Sequence, residues 1–518
     1  MANRFVAGLS QNALERNGAF GATEATGDVN FQLTRSIMGL KRLIITSLLA
    51  SQVAPSLAAL VSTASAPPHA KLLSRADDNV PITLHISIKL RDLDQLENRL
   101  MAVSVPDSKD YGQYWDLDRV TDAFYPTPQA LDTVKRWLDD AGVDHTADGS
   151  PHVRIATTVK KANMLLNASF GHYDIDGVTK LRTVEYSIPD DVSQHVELVH
   201  PTNYFGRNRR RELSADTPKP SSLTSRDPNS CTLMTPQALR ELYNVHYTPD
   251  THSGSRVGFG SFLNGSSRVA DLRLYQAAFN LTGPNDITVK SINGGLESVN
   301  PNVRILEPNF DCQLLNAMSS PLPITEFVTG GSPPFIPDAI VTENNNEPYV
   351  EYYEYLMSKP NAQLPQVITN SYGEDERTVP EEYARRVCNY IGLMGLRGIT
   401  VLHCTGDWGL GAACLSNDGK RGLEFDPQFP ASCPYVTAVG GTQGASEDAA
   451  TCTDKEVGWF ASSGGFSRYF NRAWYQETAV SKYLSKHISA ETRAYYAPYA
   501  NFAGRGFPDI SARAFYPL

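Results

Sequence analysis

From Cys231 onward, short runs rich in Val and Ile alternate with helix-length segments: residues 256–262, 366–370, 399–404 and 435–439 read as strands and 380–396 as a helix. Short, near-continuous apolar runs are what a sheet covered on both faces requires, because neither side of such a strand meets water. They predict an α/β unit over residues 231–518, a parallel sheet with helices on both faces, whose functional groups sit at the carboxyl ends of the strands. At 518 residues the chain exceeds what one core organises, so further units are expected upstream.

A unit of different character precedes it. Ile82, Leu84, Ile86, Ile88 and Leu90 alternate as in a half-buried strand, and Leu93, Leu96 and Leu100 follow at helical spacing. Helical patterns over 128–141 and 158–166 and a strand over 178–186 complete an α+β domain at residues 80–205. Beyond it, Arg207, Arg209, Arg210 and Arg211 open a polar Ser/Thr/Pro stretch over 206–230, an exposed linker whose basic cluster is either a processing site or a plain solvated loop.

At the other end, Lys41 and Arg42 precede an apolar run over 43–60 that ends in the small residues Ala64, Ser65 and Ala66. This reads as a cleaved secretory signal over 38–66; Gln52 and Pro55 argue against a membrane anchor. Residues 1–37 are then a mis-called start or a disordered extension. A net charge of −10 has the wrong sign for a chain that must neutralise phosphates, so no nucleic-acid partner is expected. No other stretch is apolar enough to span a bilayer, so no membrane is expected once the signal is removed. The seven cysteines lie in the C-terminal half without zinc-type spacing, which in a secreted chain points to disulfides. Cys414 with Cys433 is the expected pair, and other pairings stay open. Asn167, Asn264 and Asn280 head glycosylation triplets.

Three places could carry chemistry. The 399–404 strand runs into Gly406-Asp407-Trp408-Gly409, where flanking glycines let the chain turn sharply and present Asp407. Glu307 and Asp311 are four apart, so a helix starting there puts both carboxylates on one face, with Pro308 tolerable in its first turn. The strand over 366–370 leads into Ser371, Tyr372 and Gly373, an edge that an extended peptide could join by strand addition.

Together with the stretches at 320–338, Asn370-Ser371-Tyr372-Gly373, Cys404-Thr405-Gly406-Asp407, 414–419, 427–434 and 462–467, these features resemble the sedolisins, the serine-carboxyl peptidases, and within them the secreted fungal tripeptidyl peptidases. The resemblance implies a subtilisin-like catalytic fold, a propeptide that keeps a zymogen inactive, calcium as cofactor, and peptide and protein substrates besides the chain's own propeptide. A monomer is expected. Position by position it implies Glu307 as general base, Asp311 as its orienting partner and Asp407 as the oxyanion-site acid, with Pro308, Phe310 and Trp408 as departures from the family pattern.

Carboxylates in these roles make sense in acid, where an imidazole base would already be protonated and a protonated Asp can donate a hydrogen bond to an oxyanion. A subtilase of the His-dependent kind would need a His-Gly-Thr motif, and none of the 11 histidines sits in one; His403 is expected in the core or at its rim. The family's Ser-Gly-Thr-Ser-Ala-Ser nucleophile motif does not occur among the 518 residues. The nucleophile and the calcium ligands are therefore expected past Leu518, in a catalytic domain incomplete at its C-terminus. The alternative is an inactive protein that at most binds peptide or its own propeptide.

Overall fold

The computed structural model describes residues between 58 and 514, leaving out 206–234, 297–304 and several shorter stretches. The extension, most of the signal segment and the basic linker lie outside the described residues.

The upstream domain is built on an antiparallel sheet in the order His145–Thr146, His152–Thr158, Pro81–Ile88, Val196–His200. Ile82, Leu84 and Ile86 are buried as the alternation predicts. The helices Pro128–Asp140 and Val159–Leu166 lay Val134, Leu138, Ala162 and Leu165 against the same core. Both helices begin at a threonine: Thr127 accepts from the Ala130 amide and Thr158 from that of Lys161, each satisfying one free donor of the first turn. The single strand expected over 178–186 is two, Val178–Arg182 and Glu185–Pro189. Thr183 divides them, its amide donating to the Thr202 carbonyl and its hydroxyl to that of Glu185. Glu185–Pro189 pairs with Ala58–Thr63, so cleavage of a signal near Ala66 would remove a strand from this domain.

The downstream domain carries the parallel sheet, in the order Thr288–Ile292, Ile324–Thr329, Val257–Ser261, Val367–Asn370, Thr400–Cys404, Thr437–Gln443. Ile510–Arg513 adds in parallel and Asp448–Ala449 antiparallel to Thr437–Gln443. The chain starts in the middle, fills one side, then crosses to the other, so the direction of winding reverses between Val257–Ser261 and Val367–Asn370. Ligand crevices of open α/β sheets form at such a reversal. One face is covered by Tyr349–Met357 and Glu381–Leu396, most of whose residues are buried. No helix among the described residues is long and apolar enough to cross a membrane.

Those two helices are buried because the upstream domain covers them. Leu96, Val103, Trp115, Phe124 and Leu198 share one apolar core with Tyr353, Val387, Ile391 and Leu396. Gly392 and Gly395 let the helix pass close: a Cβ there would stand 3.0 Å from Leu96 Cδ2 and from Leu100 Cδ1. Arg386 crosses the same boundary, fully buried. Its guanidinium donates to the main-chain carbonyls of Ile88 (3.1 Å) and Pro151 (3.0 Å) and pairs with Glu197 and Glu354. His152 Nδ1 lies 3.1 Å from Glu354, and Tyr390 donates to the same carboxylate at 3.0 Å.

Among the described residues a disulfide joins Cys433 to Cys388, not to Cys414. Cys414 belongs to a local hairpin in which Glu424 donates to the Cys414 carbonyl and Ser416 to that of Gly422, and its thiol is free. Cys433, in the turn after Pro430, instead faces the helix, its Cα 5.6 Å from that of Cys388.

Candidate active site

Glu307 opens the helix Glu307–Ser319, with Pro308 in the first turn where no amide is missed. Pro308 is buried against the 262–265 loop, where a Cβ on Gly265 would stand 3.3 Å from its ring. Asn309 fixes the same turn from the side: its Oδ1 accepts the Arg268 amide at 2.9 Å and its Nδ2 donates to Asp271 at 2.7 Å. One turn on, Asp311 is buried, while Phe310 between them points outward.

The Val367–Asn370 strand ends beside this helix and delivers Ser371, whose hydroxyl donates to Asp311 Oδ1 at 2.5 Å and also hydrogen-bonds Glu307. Asp311 Oδ2 is buried without a partner. Burial pushes the Glu307 carboxyl up to about 7, helped by the charge of Asp407 and opposed by the Ser371 hydroxyl. Asp311 is raised well above the usual range, first by burial and then by Glu307. The two acids therefore titrate as a pair, holding protons at a pH where ordinary carboxylates have lost theirs.

Asp407 follows the Thr400–Cys404 strand on an exposed turn. Gly406, at φ 90, is pressed onto Gln428 so closely that a Cβ would lie 2.8 Å from its Oε1; no other residue type fits that turn. The loop is tied down by Ser463, whose hydroxyl accepts the Trp408 amide at 2.9 Å and whose own amide donates to Gly406. The Cys404 thiol is raised by desolvation and then by the charges of Asp407, Glu307 and Asp311, so it feels all three acids. Glu307 and Asp311 stand beside Ser371, and Asp407 acts on Glu307 through its charge.

Of the expected peptide edge, Ser371 and Tyr372 use their side chains inside the protein. The Tyr372 ring packs edge-on to Phe262, centroids 5.0 Å apart, and only main chain and Gly373 remain for an extended ligand. His403 is core: its ring meets the Tyr353 hydroxyl at 2.8 Å and Asn370 at 3.2 Å, and burial lowers it to about 3. Sequence reasoning passed over Glu326. Wholly buried beneath Asp311, it accepts from Ser261 (2.7 Å), the Ser267 amide (2.8 Å) and the Ser267 hydroxyl (2.6 Å), and its charge adds to the field on Asp311.

The comparisons agree with this architecture. Residues 68–205 match the family model of the pro-kumamolisin activation domain. The chain is 47% identical over 478 residues to tripeptidyl-peptidase sed4 of Aspergillus fumigatus, covering 90% of this chain and 79% of that protein. It belongs to the sedolisin family. Other members are more distant: tripeptidyl-peptidase SED4 of Arthroderma otae is 34% identical over 81% of this chain and 69% of its own, and probable tripeptidyl-peptidase SED2 of Arthroderma benhamiae 32% over 86% and 75%.

Carboxyls whose proton affinity is raised by desolvation should leave a signature in stability. Between pH 4.5, the ordinary value, and about 7, folded Glu307 keeps a proton that the unfolded chain has released. The contribution is complete below the unfolded value and is lost as pH rises through the folded one, on the order of 3 kcal/mol for Glu307 alone. Urea-unfolding midpoints should fall across that window. Glu307→Gln should flatten the fall, and an identical pH slope in the variant would contradict the assignment.

Proposed function

We propose that this chain is an acid-acting peptidase of the serine-carboxyl type, secreted as a zymogen and releasing tripeptides from free N-termini. The supporting observation is the shared Ser371 hydroxyl between Glu307 and Asp311 within the field of Asp407, at the carboxyl edge of the sheet. In this reading Glu307 takes the nucleophile's proton, Asp311 holds it in place through Ser371, and protonated Asp407 donates to the oxyanion. A substrate strand would lie along the main chain of Ser371, Tyr372 and Gly373. The domain at 80–205 would be the propeptide, released by cleavage in the basic linker.

The nucleophile would be a serine in the family's Ser-Gly-Thr-Ser-Ala-Ser motif. A second reading is a binding protein that holds peptide without cutting it. Calcium ligands are likewise expected elsewhere, and no step here depends on the ion. A tripeptidyl reporter substrate offered to the purified protein from acid to neutral pH, so that Glu307 is met both with and without its proton, separates the readings. Release of intact tripeptide supports the peptidase. Saturable binding of the substrate without turnover supports the second, and release of single residues or dipeptides excludes tripeptidyl action.

A further inference from the structure

Away from the catalytic acids, three more carboxylates converge from separate segments: Asp338, Asp375 of the Glu374–Asp375 strand, and Asp426 just before Gln428–Phe429, the strand that pairs with it. One carboxylate oxygen of each lies within 4.8 Å of those of the other two. Their Oδ1 atoms are committed. That of Asp338 accepts the amides of Ile340 (2.8 Å) and Val341 (2.6 Å), that of Asp375 the Gln428 side chain, and that of Asp426 the Arg377 Nε at 2.7 Å. The Oδ2 atoms are not: all three are buried and without a partner, in residues only 9%, 6% and 1% exposed.

Buried carboxylate oxygens left bare are costly, and something positive belongs between them. A proton can bridge two of them but leaves the third unserved. Three carboxylates against the one Arg377 guanidinium leave an excess of two negative charges, the charge of one divalent ion. Oxygens about 2.4 Å from a common calcium can stand up to about 4.8 Å apart, and those of the three acids lie within that limit of one another. With no nitrogen or sulfur in the set, the donors suit a hard cation and not zinc or copper.

We propose that Asp338, Asp375 and Asp426 form a binding site for a divalent hard cation, calcium before magnesium, distinct from the calcium expected past Leu518. The ion braces the catalytic loop from behind. Gln428, held by Asp375, is the surface on which Gly406 rests, and Gly411 lies against Asp426, where a Cβ would come within 2.3 Å of the Asp426 Cβ. Removing the ion loosens the seat of Asp407 without touching an acid of the site.

The test is calorimetric titration of calcium chloride into the whole chain, stripped with chelator, at neutral pH, with manganese as a second probe. Wild type should bind an ion that Asp338→Asn binds roughly tenfold more weakly or worse. The asparagine Oδ1 can still accept the amides of Ile340 and Val341, so this variant keeps its metal-free unfolding midpoint. Asp375→Asn, checked for folding by circular dichroism, should show the same loss. Equal stoichiometry and affinity in wild type and both variants, or no binding of either ion, would overturn the proposal and leave a cluster held by shared protons only.

Discussion

Replacing Arg386 with methionine is expected to destabilise the protein by about 3–5 kcal/mol, the usual result of removing one partner from a buried ion pair. The guanidinium is completely enclosed and serves two main-chain carbonyls and two carboxylates at once. Methionine fills the volume but leaves Glu354 facing the interior with the Tyr390 hydroxyl and His152 as its remaining company. Lysine keeps the charge and loses the fork that reaches both carbonyls, so Arg386→Lys should recover only part of the loss. Urea unfolding at neutral pH measures this directly, and a methionine variant within about 1 kcal/mol of wild type would show that the boundary does not depend on this residue.

Glu307→Gln is expected to reduce turnover of a tripeptidyl substrate at acid pH by about 10²–10⁴-fold, the usual worth of a positioned general base. The amide matches the carboxyl in shape and can still meet the Ser371 hydroxyl, so KM should change little and the loss should fall on kcat. Asp311→Asn should cost less, since Asp311 acts on the reaction through Ser371 and Glu307. Turnover within about threefold of wild type in Glu307→Gln would remove this residue from the base's role.

Much of this arrangement could be read before any coordinates. The strands Val257–Ser261, Val367–Asn370 and Thr400–Cys404 fall where the apolar runs lie, and Thr437–Gln443 starts two residues later and runs past the expected end. The first is buried throughout and the others alternate buried with half-buried positions, so little polar sequence interrupts them. Four strands of the same sheet did not announce themselves, the short Asp448–Ala449 and Ile510–Arg513 among them. Thr288–Ile292 is an edge strand with mostly uncovered side chains, and Ile324–Thr329 has Glu326 near its centre, a charge that no periodicity rule assigns to a core. Two serines of the neighbouring loop and strand make its burial possible, and their proximity exists only in three dimensions.

The site divides in the same way. Glu307 and Asp311 were visible because helical spacing alone puts them on one face. Ser371 was visible as a strand end, but its bond to Asp311 depends on where two elements 60 positions apart come to rest. Cys433 shows the opposite error: Cys414 is nearer along the chain, yet its hairpin closes on itself while the helix brings Cys388 across. Asp338, Asp375 and Asp426 have no spacing in common, and only the folded chain collects them.

The apolar core that runs unbroken from Leu96 and Trp115 into Ile391 and Leu396 belongs to neither domain separately. Severing the chain between them would divide a single nucleus and bare a greasy strip on the released half. A shortened product would then persist by the height of its unfolding barrier instead of its place at equilibrium. Once melted, it would lack the template on which those helices were first laid down.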